Sequence, residues 1–314
     1  AYFQNLLWTG NGSNRSLTFN GNSDLQPNWS WIKQRSGTNY HTLTDSVRGL
    51  NKQLYSNASD AEATQTTNIT AYGSDGVSLG TDGNVNANSS TYVGWFWKAG
   101  TSFTNNAGAN GANLATTAGS VNTDAGFSIL KWNSSSMAGE GLLAHGLGVV
   151  PSVIMIKSTS ASDDWYTYHK DIGATKYVRL NQTAAETSST WLENKTPTSA
   201  LISLDNGFWG TSSIDYICYC FAEKQGYSKF SSYVGNGSDT PNGIFIYLGF
   251  KPAFILIKAT DSNSWVIVDN KRPADSNPVD SSLAADSTAA ETTADNNTTF
   301  DFLSNGFKTN GNSG

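Results

Sequence analysis

The chain has 314 residues, of which 14% are charged against the roughly 25% of an average globular protein, and its formal net charge is −6. Lys and Arg occur singly rather than in runs, so there is no electrostatic footprint for nucleic acid or an anionic membrane, and apolar stretches such as 253–257 are far shorter than the roughly 20 residues of a spanning helix. The 10 Trp, 13 Tyr and 14 Phe argue against disorder, and 30 Gly without a three-residue period exclude collagen.

In chain order, the first predicted strand with a clear signature is Pro27-Asn-Trp29-Ser-Trp31-Ile32-Lys33, preceded by Trp8-Thr9-Gly10-Asn11-Gly12. Trp29 and Trp31 alternate onto one face, and proline at a strand's start removes no interior ladder bond. The phrase returns as Pro151-Ser-Val153-Ile-Met155-Ile156-Lys157 and as Pro252-Ala-Phe254-Ile-Leu256-Ile257-Lys258, the third proline 225 residues after the first. Landmarks downstream recur too: Leu54, Leu180 and Leu283 lead into Ala61-Glu62, Ala185-Glu186 and Ala290-Glu291. Turns at Asp75-Gly76, Asn206-Gly207 and Asn305-Gly306 follow, then the aromatic strands 92–98 and 216–223. The third copy of that strand is expected beyond Gly314.

These repeats predict an all-β chain of tandem β-sandwich-like modules of about 100 residues. Module 1 spans 1–100, a linker or long loop 101–125, module 2 126–225, and module 3 226–314, truncated before its last strand. Helical pattern is confined to short Ala/Glu patches at 60–62 and 289–291, too brief to stand alone.

The repeat also acts as an internal control on chemistry. His41, His145 and His169 fall at different points of the three copies, and Ser46 near His41 lacks a Gly-x-Ser-x-Gly elbow, so no catalytic residue is assigned and the chain is read as a non-enzyme. Asp45-x-x-Arg48 and Asp269-x-x-Arg272 suit local ion pairs. The segment 82–88 has oxygen donors at alternate positions but no glycine at the sixth position of a calcium loop, and no metal or cofactor is expected. Cys218 and Cys220, which align with Gly94 and Phe96, read as core fillers with free thiols. Tyr40, Trp165 and Trp265 recur in register and read as packing. Trp191 and Trp209 have no aromatic counterpart and stand among polar residues, which makes them the candidates for exposed stacking platforms contacting a glycan or a partner.

The run Trp31-Ile-Lys-x-Arg35, with Asp45-Ser-Val-Arg-Gly49, Ser56-Asn-Ala-Ser-Asp-Ala-Glu62, Ser74-Asp-Gly76 and Trp97-Lys-Ala-Gly100, resembles the tandem uncharacterised repeat domains of marine bacteriophage virion proteins. Those are labelled tail fibre or appendage proteins, and some carry concanavalin-like lectin domains. The usual aromatic-Cys-aromatic strand is here Trp95-Phe96-Trp97 in the first copy. The resemblance implies a structural virion component, extracellular, in a tail fibre or similar appendage supporting host-surface adhesion. Its partners would be copies of itself, as a homo-oligomer such as a trimer, other virion proteins, and host surface glycan, with no nucleic acid and no membrane insertion. A lectin-like module and a head-decorating protein are the alternatives.

Overall fold

The computed structural model describes residues 1–105, 111–210, 212–237, 243–273, 277–293 and 299–310. The chain is all-β. Its first stretch runs β1 (Phe3–Thr9), β2 (Arg15–Thr18), β3 (Trp29–Gln34), β4 (Thr42–Asp45), β5 (Lys52–Tyr55), β6 (Ala63–Thr64), β7 (Ile69–Gly73), β8 (Gly76–Leu79), the single turn α1 (Gly83–Asn86) and β9 (Thr91–Trp97). The second runs β10 (Thr101–Asn105), β11 (Thr116–Asn122), β12 (Phe127–Asn133), β13 (Gly141–Ala144), β14 (Val153–Ser158), β15 (Tyr166–His169), β16 (Lys176–Arg179), β17 (Thr187–Ser188), β18 (Leu201–Leu204), the turn α2 (Asn206–Trp209) and β19 (Asp215–Phe221). The third holds β20 (Phe245–Tyr247), β21 (Phe254–Ile257), β22 (Val266–Asp269), β23 (Leu283–Ala284), β24 (Phe300–Leu303) and β25 (Gly306–Thr309).

The pairing is antiparallel and repeats. The first large sheet has the order β1-β9-β3-β4-β5-β6, and the second contains β12-β19-β14-β15-β16-β17 in the same order. Equivalent residues meet in equivalent registers: Trp29 and Phe3 both face Trp97, as Val153 and Phe127 both face Phe221. The third large sheet is β21-β22-β23, the counterpart of β3-β4-β5. A smaller sheet accompanies each: β2-β8-β7, β13-β18 and β20-β25-β24.

Burial explains why the strand phrase is apolar at almost every position. β3 and β14 are buried along their whole length because each has a core on both faces. Trp29, Trp31, Val153 and Met155 point into a cluster shared by all three large sheets, joined by Trp95, Tyr219, Trp265 and Ile267. The alternate residues Ile32, Ile154 with Ile156, and Ile255 enter three separate cores under the small sheets. The expected half-buried alternation is thus two apolar environments interleaved.

Two expectations about organisation need correction. Residues 101–105 and 116–122, expected in a linker, are strands that extend the second large sheet through β11 and β12. Their Thr- and Ser-rich composition suits an edge, where one face is wet and few large side chains are needed; residues 106–110 lie outside the described residues. The Ala/Glu patches, too brief to stand alone as helices, are irregular at 58–62 and 288–291, and their glutamates pair with arginines. Pairing also shows Val178, opposite Thr167, to be the counterpart of Leu54 and Leu283, eight residues before Glu186, so the shorter spacing from Leu180 was a misalignment.

The three stretches close on one another through equivalent backbone hydrogen bonds. Glu62 N donates to Thr159 O at 2.9 Å, Glu186 N to Thr260 O at 2.8 Å and Glu291 N to Arg35 O at 2.9 Å. A second circuit runs the other way: Trp165 Nε1 donates to Tyr55 O and Trp265 Nε1 to Arg179 O, both at 2.8 Å. The third position of that circuit is His41, whose imidazole faces the backbone of Ala284. His41, not Tyr40, is therefore the counterpart of Trp165 and Trp265.

Candidate functional site

Where the three stretches meet, they frame a polar cleft of about 530 Å³. Its scaffold is one side-chain position used three times: Asn57 Oδ1 accepts from His41 N at 2.9 Å, Asn181 Oδ1 from Trp165 N at 3.0 Å and Asp286 Oδ1 from Trp265 N at 2.9 Å. Each bond closes the turn after β5, β16 or β23 against the strand that follows the Trp or His, which is why a short Asn or Asp is needed there. Asp164 is held by Asn181 Nδ2 and Gln182 Nε2, both at 2.8 Å, and by Arg179 at 2.8 Å. Ser287 and Thr288 complete the wall from the third stretch, and Asp60 from the first.

One aromatic ring enters this cleft. Tyr40 is 41% exposed and its ring leans on Tyr55, centroids 4.5 Å apart and planes at 30°. An exposed, braced ring beside neutral amides, hydroxyls and carboxylates can stack on the apolar face of a sugar while its neighbours exchange hydrogen bonds with hydroxyls. Sequence reasoning placed Tyr40 among the packing residues and missed the cleft. The available signal was an Asn or Asp three residues after each of Leu54, Val178 and Leu283.

The two predicted contact residues lie elsewhere, and their expected exposure is corrected: Trp191 and Trp209 are 0% and 1% exposed, in the core beneath β13 and β18. Trp191 Nε1 donates to Lys176 O at 3.1 Å and Trp209 Nε1 to Trp191 O at 2.8 Å, so the indole donors are satisfied inside. Trp209 has no aromatic counterpart because the equivalent turn position is Asn86. Both turns are capped by an aspartate, Asp82 or Asp205, and both fourth residues beyond the cap are buried. Asn86 fills its place with hydrogen bonds to Gly80 O and Ser13 O where Trp209 packs. Asp82 thus serves as a helix cap. Among the described residues no group of three or more His, Cys, Asp or Glu could hold a metal ion.

The Asp-x-x-Arg pairs are local, as predicted, and also join neighbouring stretches. Arg48 Nε lies 2.5 Å from Asp45 Oδ2, and Tyr219 OH of the second stretch donates to the same oxygen at 2.7 Å. Arg272 Nε lies 2.6 Å from Asp269 Oδ2, which also accepts from Trp95 Nε1 of the first stretch at 3.0 Å. In the second stretch these positions are His169 and Ile172. Burial pushes the Tyr219 hydroxyl well above its ordinary pKa, so it stays a donor to Asp45. Burial likewise brings the lysines of the strand phrase, Lys33 and Lys157, down to about 8, where each folds back onto carbonyls such as Gln34 O and Ser158 O. Cys218 and Cys220 are free and buried, sulfurs 3.4 Å apart.

These features define an all-β protein whose repeated strands enclose a shared core and whose joined turns frame a polar cleft. The whole chain, residues 1–314, matches the family described as Domain of unknown function (DUF7483), and the protein belongs to that family. No curated protein and no solved structure matches it. Among the described residues no helix is long and apolar enough to cross a membrane.

Proposed function

We propose that the chain is a non-enzymatic structural component of a phage virion, part of a tail fibre or similar appendage that supports adhesion to the host surface. In this reading each stretch is a β-sandwich-like module of about 100 residues, and three modules in tandem build a rigid unit that stands outside the cell and assembles with further copies and other virion proteins. The observation that carries the adhesive part is the cleft at the meeting of the three stretches, with braced Tyr40 among Asn57, Gln182 and Asp286. The same cleft favours a second, narrower reading, a lectin-like module that grips host glycan directly.

Titration of purified host polysaccharide or a glycan array against the folded chain tests the binding reading. A sugar that binds is expected to lose about tenfold or more in affinity on Tyr40→Ala, a loss of about 1.4 kcal/mol or more, with only a small drop in melting temperature because the ring is partly exposed and its packing is the contact with Tyr55. Absence of binding to every host glycan by correctly folded protein removes the lectin reading. Antibody labelling of intact particles addresses location: label on the tail supports the appendage, label on the head favours a decorating protein, and unlabelled particles overturn the virion assignment.

A further inference from the structure

The three seams between stretches share one design and differ at one residue. At two of them an indole crosses: Trp165 Nε1 and Trp265 Nε1 each donate to a carbonyl of the preceding stretch at 2.8 Å. At the seam between the last stretch and the first, the crossing residue is His41, which is fully buried. Its Nδ1 accepts from Trp31 Nε1 at 2.9 Å, which selects the neutral ring with its proton on Nε2. Nε2 is turned to the Ala284 backbone and completes no hydrogen bond among the described residues. The charges that reach the ring are both cations, Lys33 from β3 and Arg272 from the third stretch. Carboxylates on the neighbouring elements are engaged elsewhere: Asp45 with Arg48, Asp269 with Arg272, Glu291 with Arg35 and Arg272, and Asp286 with Trp265 N. The Tyr55 hydroxyl of β5 accepts from Gln53.

A proton on Nδ1 sets an N–H against the indole N–H of Trp31, adds a buried charge beside two cations and meets no carboxylate, so the closed seam and a protonated His41 exclude one another. We propose that the seam between the last and first stretches is an acid-released latch: His41 takes up a proton and loosens this seam, while the two seams closed by tryptophan hold and no stretch is released. Burial keeps the imidazole well below its ordinary range while the seam is closed, and exposure returns it to about 6.5. The closed form is therefore fully favoured above about pH 6.5, and the ratio of closed to loosened forms falls about tenfold per pH unit below it. Tyr40 adjoins His41 on one side of this seam, and Asp286, Ser287 and Thr288 stand on the other, so loosening parts two walls of the polar cleft. The latch depends only on the seams and stands whether or not the cleft holds a glycan.

Hydrogen exchange on the intact chain between pH 7.5 and pH 5 reads the three seams separately, through the amides of Glu291, Glu62 and Glu186, which donate across them to Arg35, Thr159 and Thr260. With exchange corrected for the intrinsic rate, protection at Glu291 is expected to fall about tenfold per pH unit below about pH 6.5, with Glu62 and Glu186 unchanged. His41→Gln and His41→Trp, the second copying the sister seams, remove the titrating group, and either variant that folds is expected to hold Glu291 protection constant across the range. Constant protection at Glu291 in the unaltered chain overturns the latch, and so does an equal loss at all three seams. A decline that persists in a folded His41 variant overturns it as well, because the Arg35–Glu291 ion pair spanning the same seam would then be the sensor.

Discussion

Arg48 and Arg272 spend their donors in the same way. Each places Nε on an aspartate three residues back, Nη1 on a glutamate at 3.2 Å and Nη2 on a strand carbonyl, Leu43 O or Ile267 O. A guanidinium fork reaches three such partners from three separate nitrogens while fully buried, whereas a lysine would have to draw all of them to a single nitrogen. Removing one side leaves an uncompensated buried charge, so Arg48→Met is expected to lower unfolding free energy by about 3–5 kcal/mol in denaturant titration. The second stretch shows the site can work without ions, with His169 and Ile172 in place of the pair. The double change Asp45→His with Arg48→Ile is therefore expected to recover part of that loss, and a double variant as unstable as the single would contradict the equivalence. Sequence spacing revealed each ion pair but not that its carboxylate serves Tyr219 or Trp95, since those partners come from another stretch and leave no local signal. The misjudged exposure of Trp191 and Trp209 has a related cause: polar neighbours along the chain are turn residues, while the rings point beneath the sheet.

At the level of elements, β9 and β19 solve one packing problem with different residues. A Cβ added at Gly94 would lie 2.6 Å from the Phe96 ring and 3.1 Å from Trp8, so Gly94 is small because Phe96 covers it. At the matching places β19 has Cys218 and Cys220, two medium side chains instead of a large one and none. Gly94→Ala is accordingly expected to cost about 1–3 kcal/mol by overpacking, and Phe96→Cys in the same chain to relieve it, a coupling readable from a double-mutant cycle. Strand identity was legible here because the aromatic phrase repeats. β10, at the sheet edge, and β11 beside it were not, because strands built of Thr, Ser and Gly look like loop. The cleft was hidden for a third reason: it is assembled from turns more than 100 residues apart, each unremarkable alone.

For the whole molecule, buried titratable groups set the pH range of stability. Burial, reinforced by Lys33, holds the His41 imidazole well below its usual range, and burial lowers His145 and His169. The unfolded chain then binds more protons than the folded one as pH falls through about 6.5, so stability is full above that value and declines below it, by up to about 1.4 kcal/mol per pH unit for fully buried His41. Lys33 and Lys157 act in the same direction at higher pH: with folded values of about 8, their contribution to stability climbs above about pH 8 as the folded lysines lose their protons first. Buried tyrosines such as Tyr72, Tyr166 and Tyr219, and the thiol of Cys218, are pushed up by burial and act the other way once the unfolded chain ionises them at about pH 9 to 10. Urea midpoints are therefore expected to rise from pH 5 to about 9 and fall beyond, and a maximum near pH 5 would contradict this account.

The bond from Glu291 N to Arg35 O joins residues 256 positions apart and fastens the last stretch to the first. Its consequence is kinetic. Trp95 and Trp97, whose rings pack on Phe254, cannot be covered on that side until residues 254–291 have been made and brought back, so loop-closure entropy is spent before these contacts reward it. Folding should be slow for a chain of this size, with sticky aromatic surface showing during synthesis. Opening the finished ring means breaking contacts at two seams at once, which makes escape from the folded state slow as well.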